Sequence, residues 1–159
     1  MTMAHVAIAL GSNVGDRERM LREGVAALQP HLRDVRVSTF HDTDPVGVGP
    51  QPTFLNAAAV GVTVLPPRDL LQTLLDIERT LGRERPYPGA PRTLDLDLIL
   101  YDDLIIDGPG LVIPHPRFRD RAFVLRPLAE IAPEWTDPVT GRTVQDLLDS
   151  LKASHPRAT

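Results

Sequence analysis

The sequence predicts an α+β sandwich of the ferredoxin-like kind: a βαββαβ core with helices covering one face of the sheet, additional C-terminal helices and a short edge hairpin. Three observations carry this. Apolar residues recur with strand and helix spacing in the order strand, helix, strand, strand, helix, strand. A length of 159 residues with 42% apolar side chains suits one compact domain. We assign residues 1–151 to that domain and 152–159 to a frayed tail. Finally, no tract approaches the ~18 apolar residues that span a membrane, and the first residues lack the basic and apolar regions of a signal peptide. A cytoplasmic protein is expected.

Residues 5–10 read as the first strand, ended by Gly11, Ser12 and Asn13. Asp16 is suited to cap a helix running to about Leu32, because Met20, Leu21, Val25, Leu28 and Leu32 form one stripe. Residues 35–41 read as the second strand. The stretch 43–52 holds five Gly and Pro residues in ten positions, a content that suits a ligand-covering loop as well as a plain connector. Residues 54–64 make a long third strand with Phe54, Asn56, Ala58, Val60, Val62 and Val64 on one face. Asn56 stands out there, since a buried amide needs partners, from the protein or from a ligand.

Pro66 and Pro67 open the second helix, whose inward stripe is Leu70, Leu71, Leu74, Leu75, Ile77 and Leu81. Gly82 closes it, and Glu78 on its flank is expected to be solvated. Residues 83–91 form a second Gly- and Pro-rich loop with Arg83, Arg85 and Tyr87. The central strand follows. Strict alternation from Leu94 to Asp97 puts Leu94, Leu96, Leu98 and Leu100 on one face and Asp95 and Asp97 on the other, with Cα atoms about 7 Å apart. Two carboxylates aimed alike from a rigid strand can hold a hard cation that also carries phosphate oxygens; they can equally be the polar side of a half-exposed strand. Asp102 and Asp103 turn the chain into a short edge element at 104–106. His115 lies in a turn between Pro114 and Pro116, residues 123–131 form a helix broken or kinked near Pro127, and Thr143 caps a last helix with Val144, Leu147, Leu148 and Leu151 inside.

Charge narrows the chemistry. The net charge of −4 argues against a general nucleic-acid surface. The absence of cysteine excludes disulfides, zinc–thiolate sites and a cysteine nucleophile. No Gly-x-x-x-x-Gly-Lys-Ser/Thr pattern occurs, so a nucleotide would not be held by a P-loop. Of the 17 basic residues 16 are arginine, and Arg83, Arg85, Arg92, Arg117, Arg119 and Arg121 lie in the part of the chain around the Asp pair. The planar guanidinium binds phosphate oxygens in pairs, which suggests a polyphosphate ligand.

Gly11-Ser12-Asn13, the Phe54-to-Ala57 run, Glu78 with Gly82, Arg83 and Arg85, the Pro91-to-Asp97 run, the Val112-to-Pro116 run, and Arg121 with Phe123, Val124, Leu125, Pro127 and Leu128 follow one another along the chain. In this order they resemble the 6-hydroxymethyl-7,8-dihydropterin pyrophosphokinase family. The chain departs from the family pattern at Pro88-Gly89-Ala90, where an aromatic-Gly-Pro-Arg run is common, and at Asp44, where many members carry proline. The resemblance implies diphosphate transfer from ATP to a pterin alcohol, with two Mg²⁺ on Asp95 and Asp97 and with Arg83, Arg92 and Arg121 neutralising phosphate charge. It also implies ATP contacts at Arg85 and His115, a nucleotide-side position for Glu78, and a pterin site made by Phe54, Asn56, Phe123 and the backbone at Thr43 and Val46. The partners it implies are small molecules, with neither nucleic acid nor membrane, and a monomer is expected. A ligand-sensing module without turnover, and a phosphohydrolase or nucleotidyltransferase using the same Asp pair, are the competing readings.

Overall fold

The computed structural model describes residues 3–13, 16–43, 54–82 and 94–154. Its elements run β1 (Ala4–Ser12), α1 (Arg17–Leu28), β2 (Arg33–Val37), β3 (His41–Thr43), β4 (Phe54–Thr63), α2 (Pro67–Leu81), β5 (Asp95–Tyr101), β6 (Ile106–Gly108), β7 (Leu111–Ile113), α3 (Ala122–Ile131) and α4 (Val144–Ser154). The main sheet is antiparallel with strand order β2-β4-β1-β5, and β3 extends it along the rest of β4. β6 and β7 pair separately as a hairpin whose turn uses Gly110 at φ +72°, where a side chain would be strained.

Both faces of the sheet are covered, whereas the sequence order alone suggested one. On the first face Val6, Ile8, Leu10, Ala57, Ala59, Leu94, Leu96 and Leu98 pack with Leu21 and Leu28 of α1 and Leu70, Leu74 and Ile77 of α2. On the second, Ala7, Ala9, Ala58 and Val60 receive Val124, Leu125 and Leu128 of α3 and Val144, Leu147 and Leu148 of α4. The small side chains on this face let the C-terminal helices approach closely. Among the described residues no helix is long and apolar enough to cross a membrane.

Local chemistry explains where the elements depart from expectation. β1 continues through Gly11 and Ser12, which pair with Asn56 and Leu55. α1 is capped by Asp16, whose carboxylate accepts the Arg19 N–H at 3.1 Å, but it ends at Leu28 because Pro30 lacks a donor and the chain tightens into a 3-10 turn, Gln29–His31. The expected second strand is two. After Val37, Ser38 takes over the ladder position: its N–H donates to the Ala58 carbonyl and its Oγ accepts the Ala58 N–H, both at 2.9 Å. β3 begins only at His41. On β5 a register shift opposite Ala7 and Ile8 pairs Leu98 with Ile8 and Leu100 with Ala7, so Leu100 sits in the second core beside Ile99 and apart from Leu94, Leu96 and Leu98. In α2 Leu75 is 41% exposed and lies outside the buried stripe. α3 is one helix, with Pro127 inside it and buried. Thr143 caps α4 as expected, its Oγ1 accepting the Asp146 N–H at 3.1 Å.

Candidate active site

Strand register builds the site. His41 of β3 is opposite Asn56 of β4, Asn56 is opposite Gly11 of β1, and Gly11 is opposite Asp95 of β5. Directly opposed residues of antiparallel strands point to the same side, and Asn56 keeps step with Ala58 and Val60, so the row lies on the face that α3 covers. One row further in come Ala58, Ala9 and Asp97. Gly11 lies between an amide, Asn56, and a carboxylate, Asp95. A Cβ there would come within 3.0 Å of Asn56 Oδ1 and 4.0 Å of the Phe54 ring. Glycine inside a strand permits a close approach, and here Asn56 Oδ1 makes it, standing where a side chain on residue 11 would.

The other wall is the start of α3. Arg121 occupies its N-cap, and its carbonyl accepts the N–H groups of Val124 and Leu125, both at 3.0 Å. The Arg121 guanidinium stands over the Phe123 ring, 5.5 Å from its centre. His115 follows β7, and its N–H donates to the Ile99 carbonyl at 3.0 Å, tying the turn to β5. Its Nδ1 accepts the Arg117 N–H at 3.3 Å, which leaves the proton of the neutral ring on Nε2. Burial pushes the imidazole below its ordinary range, Asp97 pulls it back up, and Arg121 and Arg117 push it down again. A cleft beside these groups has Leu71, Leu75, Leu98, Leu111 and Val112 as its apolar wall and Glu78, Asp97 and His115 as its polar side. It meets the carboxylate row at Asp97.

A family model described as 7,8-dihydro-6-hydroxymethylpterin-pyrophosphokinase (HPPK) matches residues 7–133. The chain belongs to this family. Among its relatives is the 2-amino-4-hydroxy-6-hydroxymethyldihydropteridine pyrophosphokinase of Bacillus subtilis, 48% identical over 126 residues that cover 78% of this chain and 75% of that protein. The enzyme of the same name from Methylorubrum extorquens is 42% identical over 156 residues, covering 97% and 96%. The fold matches that of a crystal structure of a Plasmodium falciparum HPPK-DHPS triple mutant with TM-score 0.81 at 14% identity; the match covers 98% of this chain and 46% of that longer one. Membership makes the protein a pyrophosphokinase of folate biosynthesis with a ferredoxin-like fold.

The HPPK residues expected from the sequence fall into three sets. Phe54, Asn56, Asp95, Asp97, His115, Arg121 and Phe123 are brought to the face between the sheet and α3 or to its edge at β5. Thr43 is there through its backbone, opposite Phe54. Glu78 is not the solvated residue expected: its Oε2 accepts the Leu96 N–H at 2.6 Å, so it stitches α2 to the strand between the two aspartates. Val46, Arg83, Arg85 and Arg92 lie outside the described residues, as do most of the two Gly/Pro loops. Gly11 was read from the sequence as a strand end and a family motif but given no role, and His41 was not singled out. Glycine inside a strand pattern was the available signal for the first; nothing in the sequence pairs His41 with Asn56.

Proposed function

We propose that this HPPK transfers the terminal diphosphate of ATP to the hydroxymethyl oxygen of 6-hydroxymethyl-7,8-dihydropterin and releases AMP. The observation that supports it most is the row Asn56, Gly11, Asp95 across three adjacent strands. It sets a reader of a flat heterocycle's edge beside a phosphate-handling carboxylate, with a glycine between them whose missing side chain leaves Asn56 Oδ1 the space it occupies. The pterin ring lies over Gly11 between Phe54 and Phe123 and exchanges paired hydrogen bonds with Asn56, with the backbone at Thr43 and Val46 completing the set. The apolar cleft takes the nucleoside of ATP, with its phosphates running toward Asp97 and His115.

Bond formation joins the substrate oxygen to the β-phosphorus of ATP, and the bond between that phosphorus and the α,β-bridging oxygen breaks. AMP leaves with that oxygen, and the hydroxymethyl proton is lost to a nearby acceptor. Positioning and charge neutralisation supply most of the rate. Arg121, with Arg83 and Arg92 from the stretch before β5, meets the charge on the phosphate oxygens. Neutral His115 donates from Nε2, and Arg85 adds a contact to ATP. Glu78 keeps Leu96, and with it the two flanking aspartates, in register. Two Mg²⁺ ions fit the donor set: Asp95 and Asp97 are hard oxygen ligands on one strand, and the ions would neutralise and align the ATP phosphates when bound. The protein works as a single domain of residues 1–151 and as a monomer in the cytoplasm, where a chain without cysteine is suited to a reducing environment.

Incubation with ATP, Mg²⁺ and the pterin alcohol tests the reading. AMP and diphosphorylated pterin should form in equal amounts and only in the complete mixture; ADP or phosphate formed without pterin would instead indicate a hydrolase. Asn56→Ala separates the subsites. Loss of a buried polar contact to the pterin costs about 1–3 kcal/mol, which should raise the KM for pterin about 5- to 150-fold and leave that for ATP within twofold. Equal effects on both substrates in steady-state kinetics would remove Asn56 from the pterin site.

A further inference from the structure

A polar cluster that none of the roles above uses lies at the start of β3. Thr39 and His41 flank the start of β3, and both reach Glu130 in the last turn of α3. The Thr39 N–H donates to Glu130 Oε2 at 2.7 Å, its hydroxyl donates to Oε1 at 2.7 Å, and His41 Nε2 lies 2.9 Å from the same Oε1. Ser38 sets this up, because by taking the ladder bonds to Ala58 it turns Thr39 out of the sheet and frees its backbone donor. A single carboxylate thus collects donors from the segment that enters a three-residue edge strand. Such a strand has little hold of its own: β3 pairs with β4 at three positions and with no other described strand.

We infer that Glu130 is a positioning residue for the pterin site, acting by tying β3 to the far end of the helix whose first turn carries Arg121 and Phe123. This rests on the functional reading above. His41 is opposite Asn56, and Thr43 is opposite Phe54. The ten-residue helix α3 is about 15 Å long, and Val124, Leu125, Pro127 and Leu128 lock it into the core. Its first turn bounds the site on one side, and Glu130 fastens the opposite wall to its last turn. The carboxylate therefore sets where β3, with His41 and the Thr43 backbone, stands against Asn56 and Phe54 of β4, a strand that its own pairing with β1 holds in place. Removing the carboxylate leaves Asp95, Asp97 and the apolar cleft undisturbed, since those belong to β5, α2 and β7.

The test compares wild type, Glu130→Ala, Glu130→Gln, Thr39→Val and the Thr39→Val/Glu130→Ala pair by steady-state kinetics in both substrates, with thermal melts alongside. Glu130→Ala should raise the pterin KM about tenfold and leave the ATP KM within twofold. Glu130→Gln, which keeps an acceptor for the Thr39 N–H, should recover part of the loss. The double variant should lose little more than Glu130→Ala alone, because both changes cut one network. An unchanged pterin KM in Glu130→Ala, or equal losses for pterin and ATP, would overturn the inference; if that variant does not fold, the same criterion applies to Glu130→Gln and Thr39→Val. Wild-type enzyme that fails to form AMP and diphosphorylated pterin would overturn the functional reading instead.

Discussion

Asp97→Ala should lower diphosphate transfer by about a thousandfold or more and leave the melting temperature within a few degrees of wild type. The division follows from the strand. Leu96 and Leu98 on either side are buried in the core under α1 and α2 and carry the folding role of β5, while Asp97 points the other way into the cleft beside His115. Losing a carboxylate that orients and neutralises transferring phosphates removes several kcal/mol of transition-state stabilisation, and each 1.36 kcal/mol is a tenfold change in rate. A second readout isolates the electrostatics. Asp97 raises the His115 pKa against burial and against Arg121 and Arg117, so in the variant the imidazole should titrate still lower, as followed by its proton NMR signals. Near-normal turnover would sink the assignment of Asp97 to the phosphate and metal site.

The face-by-face logic of β5 was legible because alternation is a local property: Leu94, Asp95, Leu96 and Asp97 announce their sides without help from the rest of the chain. It stopped being legible at Leu100, where the register with β1 shifts. That shift depends on two strands about 90 residues apart and leaves no local mark. The same boundary separates the other outcomes. Asp16 as a cap, Pro67 at a helix start and Thr143 as a cap are matters of a few neighbouring residues, and they were readable. Pro127 does not break its helix, because buried neighbours on both sides outweigh the missing donor. Glu78 looked like any helix glutamate until Leu96, 18 residues on, proved to be its partner. Glu130 is the same case over 91 residues, with Thr39 as the donor. The motif residues of the site were found by family likeness; their arrangement around Gly11 came only from the sheet.

The complementary variant is Asp137→Ala, which should unfold far more easily yet keep its chemistry. Asp137 is fully buried. Its carboxylate accepts from Arg119 Nε and from Nη2 at 2.9 Å, from the Val139 N–H at 3.0 Å and from Thr140 Oγ1 at 2.7 Å. Its own backbone closes the turn, donating to Arg142 O and accepting from Gly141 N, both at 2.8 Å. Cutting out one partner of such a pair costs about 3–5 kcal/mol, because the remaining charge and donors stay desolvated. For a domain of this size that is a fall in melting temperature on the order of 10 °C. Acid should narrow the gap. Burial would raise the Asp137 pKa, but the bonds from Arg119, Thr140 and Val139 outweigh it and hold the carboxyl below its ordinary range. A carboxyl depressed in the folded state stabilises above its unfolded pKa of about 3.9, and that contribution is lost as pH falls through the lower folded value. Urea melts of the two proteins should therefore differ most near neutral pH and converge below about pH 4. Turnover measured well below the variant's melting temperature should stay within a few-fold of wild type, although Arg119 is only two residues from Arg121. The buried Phe118 ring and the bonds from Val124 and Leu125 to the Arg121 carbonyl still place the α3 terminus. Loss of turnover without loss of stability in this variant would instead make the Arg119–Asp137 pair part of the phosphate site.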